Sequence, residues 1–542
     1  MIGLLIYTGA SAQGLLQPKN DFTRQDTLRG SIRPERKWWN LLHYDLSVKI
    51  DPMEKTISGQ NTITFEVLDN YSVMQIDLQE PLELTSAKIG VTGAGFTREG
   101  NVYFITLPPL PVNSTQKLTV TYEGTPREAK NAPWDGGFSW DRDDNGKHFI
   151  ATSNQGLGAS AWWPCKDHMY DEPDSGMIMR FTVPEDLTAV GNGRLIDEKK
   201  TANDQKTFVW EVKNPINNYG VNVNIGDYVS WSDTYDGEKG ELDLVFYALR
   251  DHEKAARKHF KDAYRTLEAL EYWFGPYPFY EDSYKLVEVP YLGMEHQSSV
   301  TYGNQFKQGY LGRDLSMTGE GLMWDFIIVH ESGHEWFANN ITYRDAADMW
   351  IHEGFTSYSE SLFIEYFYGQ ERAATYTRGL RSNIANASPV IGPYGVNKEG
   401  SGDMYYKGHN MLHMIRQIID NDDQWRDILR GLNEEFYHQT VTTGEIEEYI
   451  ISRSGKDLQP VFDQYLRDIR IPTLEYRIQE GQLMYRWTNV IKDFHMPVRV
   501  WLDGEETWLE VHPDYRLFEG QKVEKLIIDP DFYISTLDVL GN

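Results

Sequence analysis

Apolar and polar residues alternate with a period of two along the first part of the chain. Tyr44, Leu46, Val48 and Ile50 alternate with polar neighbours, and so do Ile63, Phe65 and Val67. That period puts every second side chain on one face, so these segments predict half-buried strands laid on a core. Asp51-Pro52, Gly93-Ala94-Gly95 and Asn192-Gly193 separate the runs with turn-forming residues. From Trp38 to about Val229 the pattern predicts a large antiparallel β-domain.

Near Leu249 the period lengthens. Phe260, Tyr264, Leu267 and Leu270 recur at helical spacing between Asp251 and Phe274, and Gly275-Pro276 ends the run. The chain reads as mostly helical to about Ile469, with a short strand over Lys285–Val289 before Pro290. Beyond Ile471-Pro472 the period of two returns in Tyr476 and Ile478, in Leu483, Tyr485 and Trp487, and in Val498, Val500 and Leu502. These last residues are enough for a small β-sandwich. The expected division is a leader over 1–12, a linker over 13–35, a β-domain over 36–248, a helical domain over 249–470 and a β-sandwich over 471–542. The fold class is multidomain α+β, as the length of 542 residues also suggests.

Composition narrows the function classes. Lys and Arg total 52 against 81 Asp and Glu, a net charge of -29. Such a surface repels nucleic acid and anionic membranes, and draws cations, including substrates with a free ammonium group. The single cysteine, Cys165, excludes an intramolecular disulfide and a Cys-rich metal cluster. No stretch after the leader approaches the roughly 20 apolar residues of a membrane span. Met1 to Tyr7 is apolar and Ala10-Ser11-Ala12 resembles a small-residue cleavage site. The expected location is therefore periplasmic or secreted, with a cytoplasmic one as the alternative. Homo-oligomerisation is left open.

The chemistry is concentrated in His330-Glu331-x-x-His334. Residues four apart share a helix face, so both imidazoles can reach one metal ion, at roughly 2.0–2.1 Å for zinc. Leu322 to Val329 is apolar apart from Asp325, so this helix is expected to be buried. Catalytic zinc takes three protein ligands and keeps an open position. Glu353, with eighteen residues between it and His334, is placed to be the third ligand.

This spacing resembles the zinc aminopeptidases of peptidase family M1. The resemblance implies one zinc ion per chain on His330, His334 and Glu353, with Glu331 as the general base. Tyr291-Leu-Gly-Met-Glu-His296 resembles the family's Gly-x-Met-Glu-Asn segment. It implies substrate binding by Gly293, Met294, Glu295 and His296, with Glu295 on the free α-amino group. Tyr405, in Tyr405-Tyr-Lys-Gly408, takes the role of oxyanion donor. Gln155, nine residues before Pro164-Cys165, takes a place in the pocket for the first substrate residue. Leu292, His296 and His352 depart from the family pattern, which usually has Gly, Asn and Asn there. Cys165 then reads as a buried structural thiol. The implied fold is a saddle-like antiparallel β-domain, a thermolysin-like, mostly helical catalytic domain and a small β-sandwich. The implied function is removal of the N-terminal residue from peptides with a free N-terminus. The alternatives are an endopeptidase of the thermolysin type and a non-catalytic binding or scaffold member of the family.

Overall fold

The computed structural model describes residues 21–539, so the leader read at 1–12 lies outside the described residues. Residues 24–30, expected within a linker, instead form a helix, α1 (Arg24–Gly30). Thr23 and Asp26 cap its start reciprocally. Leu28 is buried and Arg29 pairs with Asp167 at 2.9 Å. The capping box and a buried leucine give this segment a reason to fold that composition did not reveal. A short second helix, α2 (Pro34–Lys37), follows, and its Arg36 is fully buried with both Asp77 oxygens at 2.8 Å.

The β-domain is built on an eight-stranded sheet. Its order is 194–201, 205–212, 177–184, 39–51, 56–67, 115–124, 83–89 and 92–93. Neighbours are antiparallel except for Trp39–Asp51 and Met177–Pro184, which run parallel with Tyr44 opposite Met177. The predicted alternation holds here: Tyr44, Leu46, Val48, Ile50, Ile63, Phe65 and Val67 are all buried. Two segments between or after these strands matter for the site. One is the turn after the strand His148–Ser153, which carries Gln155. The other is the single turn Asn218–Gly220, which carries Tyr219. Cys165 has no exposed surface, its backbone pairs with that of Asp77, and burial pushes its thiol pKa well up.

A five-stranded sheet, ordered 228–237, 240–249, 284–288, 300–302 and 293–294, lies beside the helices of the middle region. Its first two strands precede the change of pattern at Leu249, so this sheet straddles that point. The helix expected over Asp251–Phe274 is two, α3 (Glu253–His259) and α4 (Asp262–Phe274). The break at Phe260 and Lys261 tightens the turn, with Ala263 N bonded to Phe260 O at 3.1 Å. It lets Phe260 pack on Trp231, Phe246 and Tyr302.

The helices that follow are α5 (Phe326–Gly333), α6 (Trp350–Tyr368), α7 (Gln370–Leu380), α8 (Tyr406–Ile419), α9 (Asp422–Glu435), α10 (Thr443–Ser454) and α11 (Gln459–Arg467). The region is less helical than expected. Residues 290–325 are turns, single-turn helix and two very short strands, Gly293–Met294 and Val300–Tyr302, which pair antiparallel. Strands of two and three residues are too short to show a period. Among the described residues no helix is long and apolar enough to cross a membrane.

The C-terminal region forms two sheets, one ordered 516–517, 482–488, 473–479, 535–538 and the other 505–511, 496–502, 526–528. Leu483, Tyr485, Trp487, Val498, Val500 and Leu502 fill the space between them. Aromatic and branched residues at alternate positions form this core, as the returned period of two predicts.

Candidate active site and metal centre

Asp325, the one charged residue in the apolar run, caps α5 by accepting from Ile328 N at 3.1 Å. Tyr302 donates to the same carboxylate at 2.9 Å. Every residue of α5 is buried, because it lies between the five-stranded sheet and α6. Gly333 permits the close approach to α6: a Cβ there would stand 2.7 Å from Ser359 Oγ and 3.2 Å from Thr356 Cγ2. As a result Glu353, in the first turn of α6, faces both histidines. His334 Nε2 is 3.4 Å and His330 Nε2 3.7 Å from Glu353 Oε2.

These three atoms fit a metal ion. Glu353 Oε2 is buried without a hydrogen-bond partner, which is costly unless a cation satisfies it. Each histidine has its other nitrogen engaged: His330 Nδ1 with Glu360 Oε1 at 2.8 Å, His334 Nδ1 with Phe337 O at 3.0 Å. A ring that donates from Nδ1 presents an Nε2 lone pair, the form a metal requires. Burial pushes the Glu353 carboxyl up, but the positive charge of protonated His334 and His330 outweighs it, so the net shift is downward; a metal ion on the same atoms would supply that charge in place of the two protons.

The supporting partners were not read from sequence. Tyr376 donates to Glu360 Oε2 at 2.7 Å, and Thr356 Oγ1 lies 3.0 Å from His334 Nδ1. Glu353, Thr356 and Glu360 stand at i, i+3 and i+7, one stripe of α6. That spacing is visible in the sequence once α6 is known to face α5.

Glu331, next to His330, is also buried, and burial together with Glu295 pushes its carboxyl up to about 7, against the pull of His330. Glu295, Glu331 and His334 each offer an atom within 4.8 Å of the others. Glu295 follows the edge strand Gly293–Met294, and Asn339 holds its backbone carbonyl at 2.9 Å. Gly293 serves the packing of α5: a Cβ would meet Ile327 Cγ2 at 2.5 Å and Glu331 Cγ at 3.3 Å. Gln155, from the β-domain, donates to Glu295 Oε1 at 2.8 Å and to Glu353 Oε1 at 2.7 Å. One amide thus ties the carboxylate of the edge strand to the carboxylate of the metal group. Met294 packs with Ala151, Tyr219, Val289 and Tyr291.

Tyr405 stands at the start of α8, with its ring 6.2 Å from that of His330. Two glycines make this possible. A Cβ on Gly408 would lie 3.0 Å from the Gly354 Cα, so α6 and α8 cross almost backbone to backbone.

Residues 259–465 match the Peptidase family M1 domain and residues 40–219 the Peptidase M1 N-terminal domain, together well over half of the chain. The chain belongs to peptidase family M1. Among curated family M1 relatives it is 23% identical over 463 residues to Aminopeptidase 2 of Candida albicans, covering 80% of this chain and 48% of that protein. It is 22% identical over 463 residues to Aminopeptidase N of Lactococcus lactis, covering 82% of this chain and 52% of that protein. It therefore spans about half the length of the curated relatives it matches. The crystal structure of an M1 zinc metallopeptidase from Deinococcus radiodurans superposes with a TM-score of 0.67 at 21% identity, covering 82% of this chain and 98% of that one. A mutant of that metallopeptidase bound to a Tyr-Ser-Ala substrate matches with a TM-score of 0.66 at 21% identity, covering 81% and 97%.

The structure also places the three departures from the family M1 pattern. Leu292 is half-buried, and its carbonyl accepts from Gly303 N at 2.7 Å. His296 has no exposed surface; Nδ1 lies 3.3 Å from Thr301 Oγ1 and Nε2 has no partner. Burial pushes His296 down to about 3, so it is neutral. The His296 ring is thus enclosed and offers no exposed surface to the cleft. His352 is likewise enclosed, and its ring packs against that of Tyr343, tilted by 30° with centroids 4.2 Å apart.

Proposed function

We propose that this chain is a zinc-dependent aminopeptidase that removes the N-terminal residue of peptides. One observation carries the reading: Gln155 bonds Glu295 and Glu353 together, so a carboxylate able to hold an ammonium is fixed beside a three-ligand metal group. The names of the relatives support the same reading.

His330, His334 and Glu353 are the residues that would hold the zinc. When bound, zinc polarises the scissile carbonyl and acidifies the attacking water. Glu331 receives the proton of that water and later passes it to the leaving amine, a use that suits a buried carboxyl with a raised pKa. Tyr405 presents a phenol O–H to the oxygen on which negative charge develops. Glu295 takes the substrate's ammonium, an interaction strengthened by burial. Fixing that ammonium selects the first peptide bond and no other, which distinguishes this reading from an endopeptidase.

The test is hydrolysis of a panel of aminoacyl-arylamides, with and without a chelator, beside their N-acetylated forms. Chelator-sensitive cleavage confined to the free amines is expected. No chelator-sensitive cleavage of any substrate sinks the reading, and equal cleavage of the acetylated forms turns it into an endopeptidase. Export belongs to the same proposal, supported by the apolar Met1–Tyr7 run and Ala10-Ser11-Ala12. Cell fractionation measures it, and an exclusively cytoplasmic product overturns it.

A further inference from the structure

Glu295 receives two protein donors on the same oxygen. Gln155 Nε2 reaches Oε1 at 2.8 Å and Tyr219 Oη reaches it at 2.9 Å. Among the described residues no other side chain donates to this carboxylate, whose one further donor is the N–H of Glu295 itself. The neighbouring side chains therefore pin the carboxylate by one oxygen and leave the other open. Gln155 can only donate through its amide nitrogen. Tyr219 has one hydrogen and could turn it elsewhere, so something must direct it.

That direction comes from His352. The backbone N–H of Tyr343 points at His352 Nε2, 2.8 Å away. A backbone N–H has only a donor to offer, so Nε2 must be the acceptor and the ring is neutral. A neutral imidazole then carries its hydrogen on Nδ1. His352 Nδ1 faces Tyr219 Oη at 3.5 Å. With a donor aimed at its oxygen, Tyr219 accepts there and gives its own hydrogen to Glu295 Oε1. The run from Tyr343 N–H through His352 and Tyr219 to Glu295 has one consistent sense, fixed at its start by a group that cannot reverse. All three side chains are buried, so no solvent competes for these contacts.

We propose that His352 is a positioning residue for recognition of the substrate's amino group, acting through Tyr219 to hold Glu295 with one oxygen free for the ammonium. This rests on the aminopeptidase reading above. His352 touches no substrate atom in this scheme. Its effect is confined to the amine.

The measurement is the ratio of inhibition constants for leucinamide and for its des-amino analogue, 4-methylpentanamide, against the zinc-loaded enzyme, with zinc content measured alongside. The ratio isolates what the amino group contributes. In His352→Gln the side-chain amide reaches the Nε2 position and can still cap Tyr343 N–H, but nothing donates from the Nδ1 position. In His352→Asn the amide nitrogen sits near the Nδ1 position and can still donate to Tyr219. The expected result is that His352→Gln loses about fivefold to tenfold of the ratio, the size of one neutral hydrogen bond. The analogue's own affinity and the zinc content should stay at wild-type values. His352→Asn should recover most of the ratio. Tyr219→Phe should match His352→Gln, and the pair together should lose no more than either alone. A full ratio in His352→Gln overturns the proposal, as does equal loss of affinity for both ligands or additive losses in the double variant. If a His352 variant does not fold, Tyr219→Phe still decides, because a ratio left unchanged by removing that hydroxyl breaks the relay. A ratio near one in the wild-type enzyme is a different failure: it removes the aminopeptidase reading itself.

Discussion

His330 meets the metal position through Nε2 and Glu360 through Nδ1, so its ligand strength depends on a residue that lies on another helix. A carboxylate behind the ring holds the tautomer and makes the imidazole more basic. Glu360→Gln can keep an oxygen acceptor for His330 Nδ1 but removes the charge, and its NH2 then takes the place of the oxygen to which Tyr376 donates, so the Tyr376 hydroxyl must turn to accept. We expect zinc affinity to fall about tenfold to a hundredfold, measured by competition with a chromophoric chelator at fixed pH. Unchanged affinity would mean that Glu360 serves only to pack α6. At this scale the sequence was most legible where partners are close along the chain. His330 and His334 are four apart, and a helix alone brings them together. Glu353 was reached by its spacing and by family resemblance. Glu360 and Thr356 continue the Glu353 stripe and could have been picked out, but only by knowing which face of α6 looks at α5. Tyr219 was beyond reach. It stands 76 residues before Glu295 on another domain, and no period or spacing links the two.

Elements are brought together by small residues, and these explain parts of the motifs that chemistry does not. Gly408 sits in the Tyr-x-Lys-Gly segment because α8 crosses α6 at Gly354, not because a substrate needs room there. Gly408→Ala sets two effects against each other. Alanine favours the helix by about 1 kcal/mol over glycine. Its Cβ would stand 3.0 Å from backbone on α6, and such overpacking costs about 1–3 kcal/mol. The backbone cannot turn aside as a side chain would, so the second effect wins. Urea unfolding should show a net loss of up to about 2 kcal/mol. kcat should fall about tenfold or more, because Tyr405, three residues earlier, moves with the start of α8. A variant as stable and as active as the parent would show that the crossing has slack. The period of the sequence predicted the long strands and the C-terminal sheets well, since each runs far enough to repeat. It overlooked Gly293–Met294 and Val300–Tyr302, which flank Glu295 in the chain but are too short to show a repeating pattern.

The division of the whole molecule into β-rich, helical and β-rich parts could be read from two changes of period, near Leu249 and beyond Pro472. How the parts dock could not, because the polar contacts that join them link residues far apart along the chain. Gln155 and Tyr219 reach from the β-domain into the helical one, so the amine site exists only where two domains meet. The C-terminal sandwich is fastened to α7 and α8 in a comparable way. Asp531 meets Arg378 at 2.8 Å and His413 at 3.5 Å, and the neighbouring Pro530 carbonyl accepts from Arg381 at 2.7 Å. Burial pushes the Asp531 carboxyl up, but His413 and Arg378 outweigh it and hold it down at about 2, below its ordinary value of 3.8. The folded state thus binds this proton more weakly than the unfolded chain does. The contact contributes fully above the unfolded value and is lost as pH falls from 3.8 towards about 2. It is worth about 2 kcal/mol when complete. Asp531→Asn should therefore be less stable than the parent by about that much at pH 6 in urea unfolding, and the gap should close as pH falls through this window. The comparison between variant and parent removes the many other carboxylates that titrate in acid, since both proteins share them. If the gap persists below pH 2, the loss comes from packing at the sandwich interface and the charge of Asp531 is not what holds it. If there is no gap at pH 6, the sandwich is held by its apolar contacts, and Arg378 and Arg381 serve only to orient it.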